Sequence, residues 1–172
     1  MRGRLEVVSH SPHPAVEDKP PPAGVLKVIN PAVRAILQSR LHRALSGNLM
    51  LLHVTGRKSG RVYLIPVGRY QHNGQLIASA GGQWRRNLAG GGDLDVTLDG
   101  RRRHAHGDLV DDPLEVTQIF SELLAQLGLK RANRLALQLN VDRAPTLDEL
   151  RGALGDRQIL RLTLLETRSP VG

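Results

Sequence analysis

Two dipeptides constrain this chain more than any other feature. Asn73-Gly74 and Asp99-Gly100 each separate two apolar or alternating runs, and both are pairs that tight type I′ turns select, because each central residue needs positive φ. They predict two antiparallel hairpins, one joining Val62 to Tyr70 with Gln75 to Ala80, the other joining Asp95 to Leu98 with Arg101 to Val110. Leu49 to Thr55 reads as a strand ahead of them, and Gln158 to Glu166, QILRLTLLE, as a last strand. Helical spacing is left to the flanks. Asp112-Pro113 opens a helix through about Leu127 with Val116, Ile119, Phe120, Leu123 and Leu127 on its buried face. Leu129 to Leu139 reads as a weaker helix, and Thr146 to Glu149 as an N-cap with an acid three residues on, starting a short helix that ends near Gly155. Gln83 to Leu88 reads as a short helical or turn segment before Gly90-Gly91-Gly92. Five or six mostly antiparallel strands with interspersed helices predict an α+β fold, a small barrel closed by helices.

The start of the chain has a different texture. Residues 1–24 hold Pro12, Pro14, Pro20, Pro21 and Pro22 without apolar periodicity, so they read as a disordered tail ahead of one domain over residues 25–172. From Val25 to Leu45 apolar residues recur at helical spacing with Lys27, Arg34 and Arg43 between them. That basic helix is expected to pack on the core, with peripheral membrane contact as the second reading. No apolar run approaches the ~20 residues of a spanning helix, and MRGRLEVVSHSPHP lacks the apolar stretch of a secretory signal. With no cysteine, neither a disulfide framework nor a zinc-thiolate site is available, and a reducing cytoplasm is the expected compartment.

Charge narrows the ligand. The 24 Lys plus Arg against 16 Asp plus Glu give a formal +8, which favours anionic partners. Single-stranded nucleic acid is usually held by bases stacked on aromatics, yet only Phe120, Trp84, Tyr63 and Tyr70 are present, so no nucleic-acid partner is expected. The cations are distributed along the chain, and three of them stand with two glycines at one turn, Thr55-Gly56-Arg57-Lys58-Ser59-Gly60-Arg61. Such a stretch is either a solvated hairpin tip or an anion cradle, in which glycines admit backbone N–H groups to a phosphate and Arg, Lys and Ser close around it.

The order of these pieces resembles the deazaflavin-dependent nitroreductase family. A leucine-rich strand, TGRKSGR, a strand containing IPVG, a hairpin at HNG, a strand ending ASAGG, then WRRNL and VTLDGRRRHAHGDLV carry the resemblance over roughly Leu49 to Asp112. Its most specific element is residues 56–60, supported by the Trp84…Asn87-Leu88 spacing. The resemblance implies a split β-barrel, FMN-binding-like, that binds coenzyme F-420, an 8-hydroxy-5-deazaflavin with a phosphodiester and an oligoglutamate tail. Relatives in the wider superfamily bind FMN, haem or fatty acids, and FMN is the alternative cofactor here.

By the same resemblance Arg57, Lys58 and Ser59 would grip the phosphate, Gly60 would allow close backbone approach, and Arg61 would assist with the tail. The Arg101 to Arg103 run reads mainly as a solvated hairpin edge, with a contribution to the tail as its second reading. Pro66 matches a position on the strand along the ring, with an ordinary edge-strand proline as its other reading. Ser79, Gly81 and Gly82 match a loop whose amides meet ring or phosphate oxygens, and Trp84 and Asn87 match the tryptophan-x-x-asparagine element. Many relatives have a longer stretch before the Trp and a Tyr after it. Only Gln83 and then Arg85 stand there, which implies a more open or more cationic ring pocket.

The implied activity is hydride transfer to an electron-poor small molecule such as a quinone, an activated alkene or a nitroaromatic. No protein acid or base is required for the hydride step, catalytic residues are not identified, and a homodimer is compatible with this reading. A carrier of cofactor, haem or lipid on the same barrel is the main competitor, and a nucleic-acid or acidic-membrane module the weaker one. No metal site is expected: His104 and His106 share one strand face, but no partner motif accompanies them. Asp111-Asp112 reads as the acidic start of a helix.

Overall fold

The computed structural model describes residues 13–19 and 47–165 and the single positions Pro31 and Ala35. The basic helix expected over residues 25–45 and most of the expected tail lie outside the described residues.

Among the described residues the strands and α-helices with both ends defined are, in order, β1 (Val16–Asp18), β2 (Leu49–Thr55), β3 (Val62–Gly68), β4 (Tyr70–His72), β5 (Gln75–Ala80), β6 (Gly92–Leu98), β7 (Arg101–Val110), α1 (Pro113–Leu127), β8 (Leu137–Leu139), α2 (Leu147–Leu154) and β9 (Gln158–Leu164). Short 3-10 helices span Gln83–Leu88 and Leu129–Leu135. Seven strands form one antiparallel sheet in the order β3-β2-β6-β7-β9-β5-β4, and β1 pairs with β8 apart from it. The sheet curls into a half-barrel with a few helices, the split-barrel architecture the sequence implied. Both hairpin turns are as expected: φ is 50° at Asn73 and 75° at Gly74, 49° at Asp99 and 72° at Gly100.

The curl separates two cores. Met50, Leu52, Val54, Val67, Ala78, Val96 and Ala105 fill the inside of the barrel, where β2, β3, β5, β6 and β7 present alternate residues. Ile77, Val110 and Ile159 turn the other way and meet Val116, Ile119, Phe120 and Leu123 of α1 and Leu150 and Leu154 of α2. The spacing read from α1 is therefore its packed face, and its cap is the expected one: the Asp112 side chain accepts from the Glu115 N–H at 2.8 Å.

Three expectations change. Part of the tail is ordered, because Val16 is buried in the helical core and β1 pairs with β8 in the register Val16↔Leu139. Leu129 to Leu139 is not one weak helix. Ala136 takes the left-handed conformation (φ 54°, ψ 39°), ends the 3-10 helix and releases Leu137–Leu139 to pair with β1. The run Val62 to Tyr70 divides near Arg69, so that Tyr70 leaves the barrel, packs on the helical core and donates its hydroxyl to the Arg134 carbonyl at 2.5 Å. Arg157 holds these pieces together. Its guanidinium lies 5.7 Å from the Phe120 ring centroid, donates to the carbonyls of Leu135 (2.8 Å) and Ala136 (3.2 Å), and pairs with Asp18. No described helix is long and apolar enough to cross a membrane.

Since Val16 is buried against α1 and β8, Val16→Ala should lower unfolding free energy by about 2 kcal/mol, the usual cost of deleting buried methyl groups, as measured by urea denaturation. A second prediction concerns acid. Two hydrogen bonds from Arg143, at 2.7 and 2.8 Å, and one from the Thr146 N–H lower the Glu149 carboxyl from 4.5 to about 2. A depressed carboxyl stabilises the fold above its unfolded value and loses that contribution as pH falls through the folded value. The Tm of Glu149→Gln should therefore vary less than that of the natural protein between pH 4.5 and about 2.

Candidate functional site

The TGRKSGR loop closes on its own backbone before it offers anything to a ligand. The Gly56 N–H donates to the Arg61 carbonyl and the Gly60 N–H to the Gly56 carbonyl, both at 2.8 Å. Gly56 is sterically required, since a Cβ there would stand 2.7 Å from Ser59 Oγ and 2.8 Å from the Tyr63 ring, and Gly60 has φ 65°. Ser59 is used inside the turn: its Oγ accepts from the Arg61 N–H at 3.3 Å and lies 3.4 Å from the Tyr63 hydroxyl. Lys58 and Arg61 are exposed and have no side-chain partner among the described residues.

Arg57 behaves differently from its neighbours. Its backbone N–H donates to Asn87 Oδ1 at 3.1 Å, its Nε to the Asn87 carbonyl at 3.0 Å, and its Nη2 to the Ala89 carbonyl. Asn87 in turn donates from Nδ2 to the Trp84 carbonyl at 3.2 Å. The loop is thus fastened to the 3-10 helix Gln83–Leu88, which hangs from the inner core by buried Leu88 and half-buried Trp84. Two stretches separated by about thirty residues in sequence, one carrying Arg57 to Arg61 and the other Gly81, Gly82, Trp84 and Asn87, meet at one end of the half-barrel.

Other expected contributors sit elsewhere. Pro66 is opposite Leu51 in the ladder whereas Val62 is opposite Thr55, so it lies roughly 13 Å along the strand from the loop, on the outermost strand β3. Ser79 alternates with Ala78 and Ala80 of the inner core and shares the face of Ile77, which meets the helices. The Arg101 to Arg103 edge is near the far end: Arg101 pairs with Leu98 next to Thr97, which is opposite Leu51, and Arg102 is taken by Asp95 at 2.5 Å. Arg85 adds no free charge to the pocket, because it donates to the Asp156 carbonyl at 2.8 Å and pairs with the Asp156 carboxylate, which it holds below the usual range. Its neighbour Arg86 is the exposed cation without a partner among the described residues. Sequence reasoning passed over Arg86; its one signal was adjacency to Asn87.

Beside the loop, Thr55 and Val62 border a cleft of about 330 Å3 on the outer sheet face, with His53, Asp95, Arg102, His104 and Leu165. His53 Nε2 is 2.9 Å from Thr97 Oγ1, and burial, with the nearby Arg102 charge, holds its pKa down. Burial opposes ionisation of Asp95, but the hydrogen bonds and charges of Arg102 and His104 outweigh it and lower its pKa. A hydrogen bond to Asp93, with Asp108 nearby, raises His106. His104 and His106 are therefore committed to Asp95 and Asp93, and no described group of three His, Asp or Glu is placed to hold a metal ion. A second cleft, of about 340 Å3, lies between Arg85, Asp156 and the ends of α1 and α2.

Solved structures with related coordinates include HutZ, the heme storage protein from Vibrio cholerae, at 14% identity and TM-score 0.44 over 80% of this chain and 90% of that one. Campylobacter jejuni ChuZ matches at 11% identity and TM-score 0.43 over 86% of this chain and 64% of its own. No curated protein matches the sequence. A family model, F420H(2)-dependent quinone reductase, matches residues 30–128 and so takes in the loop, the glycines and the tryptophan-asparagine element together. With more than half of its 172 residues inside that match, the chain belongs to the F420H(2)-dependent quinone reductase family.

Proposed function

We propose that the protein is an oxidoreductase that uses coenzyme F-420 to reduce an electron-poor small molecule, with a quinone as the first acceptor class and nitroaromatics and activated alkenes behind it. The observation that carries the proposal is the donor set at one end of the half-barrel: Lys58, Arg61 and Arg86 are exposed cations without partners among the described residues, beside the Gly81-Gly82 turn and Trp84. A phosphodiester and several carboxylates on one flat apolar ring system match such a set, with charge for the anionic end and the half-buried Trp84 face for the apolar one. When bound, the deazaflavin supplies the hydride. The chain's own part is to bind, orient and exclude water. Gly82, at φ 81°, turns its backbone without a side chain in the way. Pro66 on β3 and Ser79 on β5 would meet the cofactor only if it extends from the loop along the sheet.

FMN carries a phosphate that the same loop could hold, so the two cofactors must be told apart by the tail. Its extra carboxylates add attraction that salt screens over ~8 Å at physiological ionic strength. Fluorescence titrations of F-420 and FMN at two salt concentrations test this. F-420 should bind more tightly and with the steeper salt dependence, and mixing the reduced cofactor with a quinone should oxidise it. Equal or tighter FMN binding would overturn the deazaflavin assignment.

A further inference from the structure

In the TGRKSGR loop the three cations differ in what they already hold. Lys58 and Arg61 have no described partner, whereas Arg57 makes three hydrogen bonds to the segment that carries Asn87 and Ala89. A guanidinium presents its donors in one rigid plane, so carbonyls that occupy Nε and Nη2 fix the orientation of the whole group. The segment it reaches is otherwise held by Arg85 on Asp156, buried Leu88 and half-buried Trp84, all N-terminal to Ala89. Gly90 and Gly91 follow Ala89 with φ 81° each, and Leu88 is the sole buried residue of the 3-10 helix. Asn87 contributes both its amide atoms to the same junction, Oδ1 to Arg57 and Nδ2 to the Trp84 carbonyl. Next to Asn87 stands Arg86, exposed, with nothing described to pair with, while Arg85 on its other side is consumed by Asp156.

We propose that Arg57 is a positioning residue, which with Asn87 clamps the loop to residues 83–89, and that the anionic end of the cofactor is gripped instead by Lys58, Arg61 and Arg86. The inference rests on the functional reading above. It reassigns its most obvious contact, because the Nε–Nη2 edge with which Arg57 would fork onto a phosphate is already bonded to two backbone carbonyls, leaving only its remaining donors for a ligand. The clamp brings Arg86 to the loop, so a site that would otherwise have only the cations of one turn gains a third from a different element.

The test has two arms. In the cofactor-free protein, hydrogen exchange of the amides of residues 84–91 should quicken in Arg57→Ala and in Arg57→Lys, since lysine keeps the charge but not the planar pair of donors. Asn87→Ala, which removes only the amide half of the clamp, should quicken it as well. In F-420 titrations Arg86→Ala should weaken binding about tenfold, the weight of one hydrogen bond to a charged group, flatten the salt dependence and leave exchange unchanged. Arg57→Lys should weaken binding yet keep the salt dependence of the natural protein. Restoration of full affinity by lysine at position 57, or unchanged exchange in Arg57→Ala, would overturn the clamp. Unchanged affinity and salt dependence in Arg86→Ala would overturn the role of Arg86. Failure of the natural protein to bind F-420 would sink the functional reading and the grip together, with the exchange arm still deciding the clamp.

Discussion

The arrangement depends on where the last strand goes. β9 lies between β7 and β5, and among the described strands it is the one whose ladder joins the β4–β5 hairpin to the rest of the seven-stranded sheet. Its alternation serves both cores at once: Leu160 and Leu162 point into the barrel, and Ile159 points to α1 and α2. All three are essentially buried. Ladder bonds on both edges and apolar residues on both faces make β9 a central strand, although the chain reaches it last.

That placement decides the geometry of the site. β5 leads through Gly81 and Gly82 into the 3-10 helix, and β5 is held in the sheet by β9. The far side of the site comes from β2, which enters the sheet through β6. The two halves are therefore joined twice, once by the long way round the ladder and once directly by Arg57 and Asn87. Ion pairs then sort the charge. Arg69, Arg85, Arg102, Arg143, Arg157 and Arg161 each face a carboxylate. Among the described residues Lys58, Arg61, Arg86, Arg101, Arg103, Lys130, Arg131 and Arg151 are left without a partner for the side chain, and Lys58, Arg61 and Arg86 belong to the two segments that Arg57 and Asn87 join.

Much of this was legible in the residues. Turn chemistry at Asn73-Gly74 and Asp99-Gly100 located both hairpins, because positive φ at two adjacent residues leaves few alternatives. The caps at Asp112 and Thr146 were equally plain, since each is a local contact three residues long. What escaped were features that depend on a distant partner. Three residues at Val16–Asp18 amid prolines carry no periodicity, and only the company of Leu137–Leu139 makes them a strand. Arg85 read as an added pocket charge because Asp156 is 71 residues away in the chain. The Arg101 to Arg103 edge read as a solvated hairpin edge holding charge in reserve, and the register of β6 against β2 sets its backbone along the strands from the loop. The family likeness located the segments that meet but said nothing of which of their side chains are already spent on one another.

That last distinction has a thermodynamic side. Apart from buried Leu88 and half-buried Trp84, the contact between the loop and residues 83–89 is made of hydrogen bonds among exposed or half-buried groups. Such junctions open at less cost than the core, because water can replace each lost bond. A ligand that needs both halves in register binds only the closed fraction, and its apparent affinity falls in proportion to that fraction. On the proposed assignment binding would in return favour the closed form, since an anion shared between Lys58 and Arg86 would add an attraction that vanishes when the halves part. Strength of the clamp and strength of the grip are consequently separate quantities in this fold. The first is set by carbonyls that salt does not screen appreciably, the second by exposed charges that it does.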